Sequence, residues 1–147
     1  MIGRTVRARP ARVRAVLAAL LVLAAAGCAG TGPALDPLPG TQALVRSELY
    51  FGRLKPDGSV VTDDEWRAFV ADEVAPRFPD GFTVLDALGQ YRGRDGRIIA
   101  EPTKILLIVH GPDARPRASV QELRDVYRRR FQQESVLLIE SPARAGF

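Results

Sequence analysis

Two strand-like runs, residues 82 to 92 and 98 to 110, flank the dipeptide Asp95-Gly96. Both residues tolerate the positive φ that a two-residue turn demands, so the pair predicts a β-hairpin. A helix signal lies on either side of it. Thr62-Asp63-Asp64-Glu65 fits a capping box, with Thr62 as N-cap and Glu65 at N3. Val61 and Trp66 hold the hydrophobic-staple positions, and Asp63 and Asp64 suit the positive end of the helix dipole. Trp66, Phe69, Val70 and Val74 mark one face, and Pro76 closes the helix. Trp66 reads as core rather than as a ligand platform. Ser119-Val120-Gln121-Glu122 repeats the capping pattern, ahead of an apolar face of Val120, Leu123, Tyr127 and Phe131. Arg128 to Arg130 follow, where positive charge favours the dipole.

Two more strands complete the set. Residues 43 to 51 alternate with a period of two. Ser135 to Ile139 is the last strand, ended by Pro142. Gly89 inside the second strand marks a bulge or a close approach of another backbone, and Pro102 marks a bulge or an unpaired edge. Phe78-Pro79-Asp80-Gly81 reads as a turn rather than a catalytic loop. The order β-α-β-β-α-β predicts an α+β ferredoxin-like fold. Right-handed crossovers put both helices on one face of a four-stranded antiparallel sheet ordered 4-1-3-2. The domain is expected over residues 43–141, with 142–147 as a tail.

The N-terminus carries an address. Arg4, Arg7, Arg9, Arg12 and Arg14 precede an uncharged apolar run from Ala15 to Ala26. That run is shorter than the roughly 20 residues of a membrane span and fits a signal peptide over 1–27. Leu23 to Cys28 resembles a bacterial lipobox, which implies lipid attachment at Cys28. Cys28 is the only cysteine, so no internal disulfide forms. Residues 28–42 then form a flexible tether, rich in glycine and proline. Cleavage takes five basic residues from 21 and no acidic ones from 17, leaving 16 against 17. The mature chain is near neutral, and the electrostatic case for nucleic-acid binding goes with the signal. The expected place is the cell envelope, on the membrane. Ala29 lacks the aspartate of inner-membrane retention, which favours the outer membrane if the source has two.

A likeness rests on several blocks: Tyr50-Phe51-Gly52, the acids before Trp66, Pro76 to Gly81, Thr83-Val84, Gly89-Gln90, Glu101 and Phe131 to Val136. With these, residues 43 to about 140 resemble the bacterial domain of unknown function 3574 (DUF3574). The family tends to carry tryptophan where this chain has Tyr91. The resemblance implies no catalytic residue and no substrate.

Chemical motifs are few. His110 is the only histidine, no acidic run has metal-ligand spacing, and no phosphate loop or nucleophile elbow is present. No cofactor or metal is expected. If odd residues of the first strand face the helices, Arg46, Glu48 and Tyr50 lie on the open sheet face. Lys104, Leu106, Ile108 and His110 share that face if the register permits. Such a set would form a ligand pocket, a solvated face, or the contact of a homodimer or an envelope partner. A non-enzymatic binding or assembly module is favoured over a small enzyme.

Overall fold

Alternation in Gln42–Gly52 produces β1, whose Ser47, Leu49 and Phe51 are buried on one side. The computed structural model describes residues 38 to 147 except Arg94. The signal segment, Cys28 and the tether up to residue 37 lie outside them. After β1 the capping box forms as expected: Thr62 accepts from the Glu65 N–H, and Glu65 accepts from the Thr62 N–H at 2.7 Å. It starts α1 (Asp63–Phe69), which widens into a π-helical turn (Val70–Val74) and ends in one more α-turn (Ala75–Arg77). Pro76 sits inside that last turn, one residue before the end.

β2 (Thr83–Arg92) and β3 (Ile98–His110) form the hairpin, closed by the Gly93 N–H on the Arg97 carbonyl at 2.8 Å. α2 (Ala114–Phe131) and β4 (Leu137–Ala145) complete the chain. The sheet is antiparallel, ordered β2-β3-β1-β4, which is the expected ferredoxin-like arrangement. Among the described residues no helix is long and apolar enough to cross a membrane.

Two boundaries differ from expectation by several residues. The second helix begins at Ala114, not Ser119, and its N-cap is Asp113. Pro116 lies in its first turn, where a missing N–H removes no helical bond. The last strand passes through Pro142 to Ala145, so residues 142 to 145 are sheet rather than tail. β4 is an edge strand, and an edge position tolerates a proline. Pro102 lies just past the end of the β1–β3 ladder at Gly52–Thr103, so it removes no bond from that ladder.

One aromatic cluster forms the centre of the core. The Phe51 ring lies 4.6 Å from Tyr127, 5.4 Å from Trp66 and 5.6 Å from Phe69. These tilted and edge-on pairs add about 0.5–1.5 kcal/mol each beyond simple burial. Trp66 is therefore core.

Gly81 turns the chain out of the first helix with φ +129, and its N–H reaches the Phe78 carbonyl at 3.2 Å. A Cβ there would meet nothing within 4 Å, so any cost is conformational. Gly81→Val is expected to lower stability by about 1 kcal/mol or more, read from the denaturant midpoint. An unchanged midpoint would show that the turn does not depend on glycine.

Candidate functional site

The register divides the residues expected to share the open face. Arg46 pairs with Val109, Glu48 with Leu107 and Tyr50 with Ile105. On β3, therefore, the odd residues share the open side with Arg46, Glu48 and Tyr50. Leu106 and Ile108 pair with Leu49 and Ser47 and are completely buried under the helices. Lys104 and His110 lie on that same helix side. The proposed set of acid, phenol, lysine and imidazole is not assembled.

Each displaced residue has a local role. The Gly111 carbonyl can only accept, so His110 Nδ1 donates to it at 2.7 Å. In the neutral ring, Nε2 then accepts from the Ser47 hydroxyl at 2.9 Å. With both nitrogens engaged, His110 has none left for a ligand. Lys104 pairs with Asp86 and lies 3.6 Å from Asp63. On the open side, Glu48 accepts from the Tyr50 hydroxyl at 2.9 Å and pairs with Arg46 at 3.0 Å. The bond to Glu48 is the main cause of a raised Tyr50 pKa.

A different group of residues converges at the far end of the open face. Glu101, Tyr50, Tyr91, Thr103, Ile105 and Gln133 line a cavity of about 400 Å³. Glu101 is only 8% exposed. Its carboxylate accepts from the Leu54 N–H at 2.8 Å. Burial pushes its pKa up, against the lowering pull of the Leu54 and Arg53 N–H groups. The Arg53 guanidinium points elsewhere, to Asp63 at 3.0 Å and the Val61 carbonyl at 2.6 Å. Among the described residues no basic side chain pairs with Glu101.

Two glycines make room for this floor. A Cβ at Gly52 would overlap the Glu101 carboxylate, and one at Gly89 would come within 2.6 Å of the Thr103 hydroxyl. Gly89 thus marks a close approach, with the β2–β3 register unbroken. Tyr127 anchors the Gly52 carbonyl from below with a 2.9 Å hydrogen bond. Gln132, in the left-handed conformation at φ 55, ends α2 and turns the chain toward the cavity. Gln133 then donates to the Leu54 carbonyl at 2.9 Å and forms the third wall. Tyr91 has its pKa raised, first by desolvation and then by the charges of Glu101 and Glu134.

Residues 46–147, well over half the chain, match the family model DUF3574, described as a protein of unknown function. The chain belongs to the DUF3574 family. Tyr50, Gly52, Gly89, Gln90, Glu101 and Gln133, on which the sequence likeness rested, all line this one cavity of the DUF3574 domain. Among curated proteins no match is found. Two solved structures share the fold. A phage SAM lyase in complex with S-methyl-5'-thioadenosine is 17% identical, with a TM-score of 0.56, covering 79% of this chain and 97% of that one. A phage SAM lyase in its apo state is 19% identical, with a TM-score of 0.54, covering 78% and 96%.

A larger cavity, about 590 Å³, opens at the other end of the sheet beside Asp80, Gly81 and His110. Its buried imidazole is already satisfied, so the Glu101 cavity is the stronger candidate. Among the described residues no group of three His, Cys, Asp or Glu converges as a metal site.

Proposed function

We propose that this is an exported, lipid-anchored envelope protein whose DUF3574 domain binds a small cationic molecule in the Glu101 cavity. One observation carries the binding reading: Glu101 is a buried carboxylate without a basic partner among the described residues. An ionised carboxylate taken out of water costs several kcal/mol unless a counter-charge offsets it. Backbone N–H groups offset part of that cost. A ligand cation would offset the rest, with the faces of Tyr50 and Tyr91 adding cation–π attraction.

A second reading is a small enzyme. The observation that favours it is the shared fold of a phage SAM lyase holding S-methyl-5'-thioadenosine. SAM carries a sulfonium cation, so it is the first probe for both readings. Calorimetric titration of the domain with SAM is expected to give binding that weakens at least about tenfold in Glu101→Gln, the loss of one charge-assisted contact. S-methyl-5'-thioadenosine, neutral at sulfur, should bind without that dependence. Its release from SAM would establish the enzyme reading. Equal SAM affinity in wild type and Glu101→Gln would overturn a charge-selective site.

The anchor rests on Cys28. Cys28→Ala is expected to abolish lipid labelling and either free the protein from the membrane or leave it uncleaved. Two or more acyl chains, at about 0.8 kcal/mol per buried CH₂, hold wild type firmly. Wild-type protein that is soluble, delipidated and cleaved at another site would sink the anchor.

A further inference from the structure

We propose that the open sheet face is a self-association surface on which a second copy lies antiparallel, the Leu44 end of each copy covering the Tyr50 and Leu137 wall of the other's Glu101 cavity. This goes beyond the cation reading, and either can fail alone. Among the described residues, helices cover only one side of the sheet. On the other side Leu85, Leu137 and Ile139 are 48%, 56% and 44% exposed, beside half-buried Ile105, Leu107 and Val109. A contiguous apolar patch of this kind marks an interaction surface.

The arrangement of rows selects the occupant. Arg46 lies beside Val109 and Ser141, and Glu48 lies beside Leu107 and Ile139. Sheets packed face to face keep their strands aligned within about 30°. A two-fold axis running across the strands between these two rows would set each Arg46 over the second copy's Glu48. The same axis would set Leu107 over Val109. Cation meets anion and apolar meets apolar, the self-complementarity that an isologous contact requires. An unrelated partner would not require this pairing of the face with itself.

The operation also reaches the candidate site. It carries Leu44 over Tyr50 and Ala143 over Leu137, because Leu44 pairs with Ala143 and Tyr50 with Leu137 in the same ladder. Tyr50 and Leu137 belong to the Glu101 cavity wall. The second copy would therefore cover that wall of the cavity and leave the Glu101 end open.

Sedimentation of the lipidated full chain in mild detergent tests this. Wild type is expected to be a dimer. Arg46→Glu and Glu48→Arg, each checked for folding by circular dichroism, should weaken association by at least about tenfold through like-charge contacts. An equimolar mixture of the two should associate again, because every contact across the interface then joins opposite charges. A wild-type monomer at high micromolar concentration, or folded variants that fail to associate on mixing, would overturn the proposal. Glu101→Gln is expected to leave sedimentation unchanged, so a failure of the cation reading would not be mistaken for a failure here.

Discussion

Ile108→Glu is expected to unfold the domain. Ile108 is completely buried, opposite Ser47 on the helix side of the sheet. A carboxylate there would sit in the apolar cluster that includes Leu49, Leu106 and Val120. An uncompensated buried charge costs several kcal/mol against a total stability of about 5–15 kcal/mol. Circular dichroism in the near ultraviolet should lose its aromatic signal, and the denaturant transition should shift far down or vanish. The neighbouring change Leu107→Glu places the same group on the open face and should leave the fold intact. A folded Ile108→Glu with a wild-type midpoint would contradict the register of β1 against β3.

That register is also where the sequence stopped being informative. Element order, the capping box at Thr62 and the aromatic core could be read, because each has a local signal with one physical meaning. Residues 105 to 109 are apolar at every position. Such a run says that the strand is central but not which side chains face the helices. The parity of β3 was therefore open, and Lys104, Leu106, Ile108 and His110 fell on the side opposite to the one expected. Pro142 misled for a related reason. A proline ends a central strand, but β4 is an edge strand, and edge position is a property of topology rather than of the residue.

The cavity was harder to find. Its lining comes from all four strands and the turn after α2, so no short stretch contains it. The usable signal was indirect. Gly52 and Gly89 interrupt strands that otherwise carry side chains, and each clears space for a polar group on β3. Glycines within strands, opposite an acid and a hydroxyl, point to a floor built of backbone. Glu101 itself gave no local sign, since a single glutamate in a strand is ordinarily solvated.

Cation binding in the cavity depends on the charge of Glu101. Burial raises its carboxyl above the ordinary 4.5, so the folded domain holds the proton more tightly than the unfolded chain. The cost of the ionised group is then fully present above the folded pKa. It is relieved as pH falls through that pKa toward the unfolded value. Glu101→Gln keeps the shape, retains an acceptor for the Leu54 N–H and removes the charge. The empty variant should be more stable than wild type at pH 8, by on the order of 1 kcal/mol, while it loses cation binding. The direct measurement is the unfolding free energy of wild type and Glu101→Gln, without ligand, from pH 8 to pH 4. The predicted result is an advantage for the glutamine variant at pH 8 that shrinks steadily as the pH falls. A difference that does not change with pH, or a glutamine variant less stable at pH 8, would contradict a buried charge awaiting its cation.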